Sequence, residues 1–153
     1  MFVYIGSDHA GFEFKKKLIQ YYNQNNSNYF IDCGCYNTDS VDYPDIASLV
    51  SKKVIYDNES NMNSFGILIC GTGIGMSISA NKFKNIRAAL IYDINTAEMS
   101  KLHNNANIIC LGARTLDFET TILLINKFID TNFEAGRHQR RINKIETNSY
   151  LEM

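Results

Sequence analysis

Phe65-Gly66-Ile67-Leu68-Ile69-Cys70-Gly71-Thr72-Gly73-Ile74-Gly75-Met76-Ser77-Ile78-Ser79-Ala80-Asn81-Lys82 decides the fold. Its first five residues are apolar, with β-branched Ile67 and Ile69, and the run breaks at Cys70 into glycines at alternate positions ahead of a helix-compatible segment. The pattern predicts a buried parallel strand, a glycine turn and a helix. Such a turn presents backbone N–H groups beyond the strand's carboxyl end, where a phosphate, carboxylate or developing oxyanion is stabilised without a charged side chain. Cys70 stands at the mouth of that nest. A thiol beside a helix N-terminus has its thiolate favoured, as a base or nucleophile requires; the plain alternative is a small buried strand-end residue.

Outward from this pivot, strands and helices alternate. Phe2 to Gly6 reads as a first strand. Phe12, Phe14, Leu18, Ile19 and Tyr22 share a helix face within Gly11 to Gln24, and Lys15 to Lys17 reads as its solvated side. Tyr29 to Cys33 is a short strand, Pro44 opens a helix, and Asp57 to Ser64 reads as a polar loop. Beyond the pivot come strands at Ile86 to Tyr92 and Ile108 to Leu111, helices at Thr96 to His103 and Asp117 to Asp130, and a last helix from about Gly136 to the end. Crossover spacing throughout specifies a three-layer α/β/α sandwich, Rossmann-like, around a five-stranded parallel sheet.

At 153 residues, with no composition shift or linker, the chain is expected to form one domain. A formal net charge of -1 gives no reason to expect nucleic acid or an anionic membrane as partner, and no run approaches a membrane span. A soluble protein is expected. Cys33, Cys35, Cys70 and Cys110 lack CxxC spacing, which fits a reducing cytoplasm. The asparagine-rich stretches Asn23 to Asn28 and Asn58 to Asn63 read as loops of biased composition.

Ligands of such sheets bind beyond the strands' carboxyl ends where strand order reverses. This would place Ser7-Asp8-His9-Ala10-Gly11 beside Cys70 to Gly75, so that a carboxylate, an imidazole, a thiol, the Thr72 hydroxyl and an anion nest share one crevice. A dinucleotide fold is the first rival, but GxGxxG from Gly71 would need Gly or Ala at Met76, and from Gly73 at Ile78. Asp8, His9, Cys70 and His103 could surround zinc, yet none has paired ligand spacing, so no metal is expected. Asp8 could simply cap a helix, and His103 could be a dipole partner at a helix end. Arg137 and Arg141 lie one helical turn apart and can reach one phosphate, whereas His138 reads as structural.

With these residues assembled, the chain resembles the type B ribose-5-phosphate isomerases and related sugar-phosphate isomerases. The motifs are Gly6-Ser7-Asp8-His9-Ala10-Gly11, Asp42-Tyr43-Pro44, Ile69 to Gly75, Ala80-Asn81-Lys82, Leu102-His103-Asn104, Leu111-Gly112-Ala113-Arg114 and Gly136-Arg137-His138 with Arg141. The resemblance implies interconversion of D-ribose 5-phosphate and D-ribulose 5-phosphate, in the non-oxidative pentose phosphate pathway, without metal or organic cofactor. It implies Cys70 as base at carbon, the Gly71, Gly73 and Gly75 turn as anion hole, and His103 and Asp8 in ring opening. Thr72 would position or protonate a sugar oxygen, while Tyr43 and Asn104 contact the sugar. His9, Arg114, Arg137 and Arg141 would hold the phosphate. It further implies a homodimer or dimer of dimers sharing its sites, with His103, Asn104 and Arg114 coming from the partner and the helix at about 136 to 153 packing on it.

One branch of the family carries serine in place of the cysteine and glutamate after the last glycine; Cys70 and Met76 stand there in this chain, so the thiol branch is implied. Alternatives are a hexose-phosphate isomerase acting on allose 6-phosphate or galactose 6-phosphate, and a non-catalytic sugar-phosphate or nucleotide-binding module.

Overall fold

All seven residues of the strand Ser64–Cys70 are buried, which a strand achieves only with neighbours on both edges and helices on both faces. In the computed structural model, which describes residues 1–25 and 29–148, it is the central strand β3 of a five-stranded sheet. The others are β1 (Phe2–Ser7), β2 (Tyr29–Asp32), β4 (Ala88–Leu90) and β5 (Ile108–Gly112), in the order β2-β1-β3-β5-β4 and all parallel. The helices are α1 (Phe12–Asn25), α2 (Tyr43–Glu59), α3 (Ile74–Ala80), α4 (Ile94–Leu102), α5 (Phe118–Asp130) and α6 (Arg137–Asn148). The three-layer, Rossmann-like architecture read from the sequence is the one observed.

Each face of the sheet has its own core. Leu18 and Tyr22 of α1, Ala97 of α4, and Leu124, Ile125 and Phe128 of α5 pack with Ile5, Ile67, Ile69 and Ile109. On the other face Ala47, Val50 and Val54 of α2 and Met76 and Ala80 of α3 pack with Leu68, Ile108 and Cys110. The alternation of odd and even strand positions between these two sets is the period of two that a strand imposes.

The order reverses between β1 and β3: the chain lays β2 on one side of β1 and then crosses to place β3 on the other. Phe2 pairs with Ser64 and Ser7 with Ile69, so the two strands end together and their following turns meet. A second reversal brings β5 between β3 and β4, and Cys70 lies opposite Gly112. The turns after β1, β3 and β5 thus lie side by side at the carboxyl end of the sheet.

Several sequence-based boundaries move. The segment from Asp57 is not a polar loop at its start, because α2 runs on to Glu59. Asp57 is buried and accepts a hydrogen bond from Tyr4 Oη at 2.9 Å; burial and this carboxylate push the Tyr4 phenol up to about 12. β4 keeps only three residues, and the Asn81 side chain acts as its extra partner, donating to Ala88 O and accepting from Ala88 N, both at 2.8 Å. Lys15 is not solvated: it is fully buried, ion-paired with Asp32, and donates to Cys35 O at 2.6 Å. Lys16 and Lys17 are exposed. Residues 26–28 of the first asparagine-rich stretch and 149–153 of the expected last helix lie outside the described residues.

Candidate active site

Cys70 ends β3 with 6% of its surface exposed, and the backbone N–H of Gly73 donates to its Sγ at 3.1 Å. That geometry needs Gly73 at φ 78, the left-handed region, where a side chain would also run into Leu90 and the backbone of Leu111. Thr72 is exposed, its Oγ1 accepting from Ile74 N at 3.4 Å as the chain turns into α3. Because α3 has only seven residues, the N–H groups of the turn matter more here than the macrodipole. Burial pushes the Cys110 and Cys33 thiols up, Cys33 to about 11, so neither supplies a thiolate near neutral pH.

The turn after β1 closes one side. Asp8 donates its N–H to Ile69 O at 3.1 Å, and its buried carboxylate accepts from Gly11 N through Oδ1, also at 3.1 Å. The capping reading of Asp8 therefore holds for one oxygen. His9 is exposed and accepts from Val41 N through Nδ1 at 3.4 Å. Tyr43, at the start of α2, lays its ring against Gly75, where a Cβ would come within 2.8 Å of Cζ. The turn after β5 closes the other side: Ala113 N donates to Cys70 O at 2.8 Å and Arg114 N to Gly71 O at 3.0 Å. The Arg114 guanidinium covers Gly71, with Nη1 3.2 Å from where a Cβ would sit. Arg114, expected from a partner subunit, thus stands beside Cys70 of its own chain.

A second constellation gathers where α4 ends and α6 begins. The rings of His103 and His138 stack with centroids 4.2 Å apart and planes 7° from parallel. Arg137 Nε lies 3.4 Å from His138 Nε2, and Arg141 follows one turn along α6, exposed like Arg137. Arg87 fastens the group, its Nε donating to Asn104 O and Asn105 O at 3.1 Å and its Nη1 to Glu146 at 3.1 Å. His138 is buried.

These two constellations do not meet within one chain. α4 runs back against the strands, and the turn after it feeds β5, with Gly66 N donating to Asn107 O at 2.9 Å. His103 and Asn104 therefore belong to the amino end of the sheet, and Cys70, four residues beyond Gly66, to the carboxyl end, roughly 13 Å further along the strand. Sequence reading missed Glu134, which joins the second group: its Oε2 is 3.2 Å from His138 Nε2 and 3.8 Å from His103 Nε2. Its place just before Gly136-Arg137-His138 was the only signal.

A parallel sheet with a thiol, a buried carboxylate and a glycine turn at its switch point, and Arg114 in the next turn, is the setting of an enzyme that does acid–base chemistry on a small anionic molecule. The chain belongs to the ribose/galactose isomerase family, whose pattern matches residues 3–145. It is 49% identical over 144 residues to a Rickettsia bellii protein whose name assigns it provisionally to the sugar phosphate isomerases, covering 94% of this chain and 96% of that one. It is similar to the type B ribose 5-phosphate isomerase of Trypanosoma cruzi, at 42% identity and TM-score 0.91 over 99% of this chain and 100% of that one. It is also similar to ribose-5-phosphate isomerase B of Mycoplasma genitalium, solved with bound ribulose-5-phosphate, at 38% identity and TM-score 0.89 over 99% and 97%. No helix among the described residues is long and apolar enough to cross a membrane.

Proposed function

We propose that this sugar phosphate isomerase interconverts D-ribose 5-phosphate and D-ribulose 5-phosphate through an enediolate, with Cys70 as the base. The observation that carries the reading is the Gly73 N–H aimed at the Cys70 sulfur, beside a glycine turn and a buried Asp8. Once the furanose ring is open, Cys70 takes the proton from C2 and the electron pair moves to O1; the O2 proton passes to O1, and as the C2 carbonyl forms the same proton or a solvent proton is delivered to C1. Amides of the Gly71, Gly73 and Gly75 turn stabilise the oxyanion. His103 and Asp8 move the protons of ring opening, Thr72 positions a sugar oxygen, and Tyr43 and Asn104 border the sugar. His9 and Arg114 meet Arg137 and Arg141 on the phosphate.

This site requires a second copy, because Cys70 and His103 stand at opposite ends of one sheet. Exposed Ile74 and Ile78 of α3, with Tyr92 and Ile94 beside the crevice, offer the apolar surface on which that copy would pack. His103, Asn104, Arg137 and Arg141 of one subunit then complete the Cys70 crevice of the other. A reducing cytoplasm suits the four free cysteines.

The test is exchange of the substrate C2 hydrogen with solvent deuterium. Cys70→Ala, shown to be folded, should lose on the order of 10²-fold or more in exchange and in kcat; exchange at the wild-type rate would overturn the assignment. Parallel assays with ribose 5-phosphate, allose 6-phosphate and galactose 6-phosphate, with chelator present, decide the sugar.

A further inference from the structure

Glu134 lies in the connection between α5 and α6, outside every motif used so far, yet it is built into the second constellation from two directions. Its backbone N–H donates to Leu102 O at 3.0 Å, tying it to the last turn of α4 immediately before His103. Its Oε2 lies between the two imidazoles, 3.2 Å from Nε2 of His138 and 3.8 Å from Nε2 of His103. Two histidines and a carboxylate within 4.8 Å of one another invite a metal reading. The geometry argues otherwise. Stacked rings 7° from parallel send their Nε2 lone pairs side by side rather than toward one point, and the Arg137 guanidinium already places positive charge 3.4 Å from His138 Nε2.

We infer that Glu134 is a positioning residue for His103, acting through the stacked His138 ring and through its own charge; the inference rests on the assignment of His103 to ring opening. A buried neutral imidazole has one N–H, and in the tautomer that carries it on Nε2 of His138 Glu134 accepts it and holds that ring's plane. Nε2 cannot serve both neighbours at once: protonated, it donates to Glu134; unprotonated, it accepts from Arg137. His103 is about a third exposed and lies flat on His138, so the plane of the reactive ring follows that of the buried one. When His103 accepts a proton from the sugar's ring hydroxyl it becomes a cation, and a carboxylate 3.8 Å from Nε2 stabilises that charge.

The two directions of the reaction separate this role from a general structural one. Ribose 5-phosphate is chiefly a closed furanose and must be opened. Ribulose 5-phosphate carries its C5 oxygen as a phosphate ester, cannot close a furanose ring, and arrives open. Glu134→Ala, at a half-exposed position, should therefore lower kcat from ribose 5-phosphate about tenfold, below the roughly 10²-fold or more of losing an acid–base group outright. Its KM should change little. Deuterium entry at C1 of ribulose 5-phosphate, which needs only the Cys70 base, should stay near the wild-type rate. Equal losses in both measurements, or no loss in either, would overturn the inference. His103→Asn, measured alongside, should show the same selective loss more deeply. If it does not, the ring-opening assignment itself fails and takes the inference with it; if it does while Glu134→Ala does not, only the role of Glu134 falls.

Discussion

The Gly73 N–H and the Cys70 Sγ are 3.1 Å apart, in a turn where only glycine adopts the required φ of 78 without strain. On the proposed mechanism, this contact separates the position of Cys70 as base from its acidity. Cys70→Ser keeps an acceptor of similar size for the same N–H but replaces a thiol with a hydroxyl that gives almost no anion near neutral pH. Its melting temperature should match the wild type, while kcat should fall on the order of 10²-fold or more. Wild-type turnover by Cys70→Ser would mean that the acidity of the sulfur is irrelevant. Met76 cannot supply a carboxylate in compensation, since its side chain is wholly buried in the α2 and α3 core.

Arg137 and Arg141 are exposed one turn apart on α6, where their guanidinium groups can fork onto one phosphate. Arg137→Ala and Arg141→Ala should each raise KM by about 10-fold or more, the scale of a charge-assisted hydrogen bond. Inorganic phosphate should weaken as a competitive inhibitor in the same proportion. Unchanged KM in both variants would make these arginines a solvated face only.

The architecture was legible because β3 is a continuous apolar run, the flanking segments repeat at helical spacing, and the crossover lengths force parallel pairing. Strand order was not, since no local pattern says on which side of β3 a crossover lands. Lys15 misled by type and not by position: it is in register with Leu18 and Tyr22 on the buried stripe of α1, and its charge is offset by Asp32 and Cys35 O. Asp57 followed the same logic, a buried carboxylate made tolerable by Tyr4. The candidate site residues stand out as short motifs in the sequence, but their grouping needed topology. A helix antiparallel to the strands carries His103 away from Cys70, and the turn after β5 carries Arg114 toward it.

His138 gives the fold a dependence on pH. Burial, then neighbouring His103 and Arg137, hold its imidazole below the ordinary value, with Glu134 pulling the other way and Arg141 adding to the depression. The unfolded chain takes up this proton as pH falls through about 6.5, the folded chain only at lower pH, so the unfolded state binds more protons in between. Stability is therefore full above about pH 6.5 and declines on acidification. The melting temperature should drop between pH 7 and 5.5, and His138→Asn should flatten that drop. An identical slope in both proteins would show that other groups set it.

The separation of Cys70 from His103 yields a test of the shared site that needs no structure of the assembly. If each site combines Cys70 of one subunit with His103 of the other, Cys70→Ala and His103→Asn homodimers have both sites broken, each by one substitution. In a mixed dimer the two lesions fall into the same site, and the other site receives an intact Cys70 and an intact His103. Unfolding and refolding a 1:1 mixture makes about half of the dimers mixed, so about one quarter of all sites become wild type under twofold symmetry. Activity of the mixture should therefore rise from near zero to about a quarter of that of refolded wild type. If both groups act from one chain, mixing restores nothing, because each chain still carries its own lesion. A mixture that stays inactive although exchange is demonstrated by mass-tagged subunits would rule out the shared site.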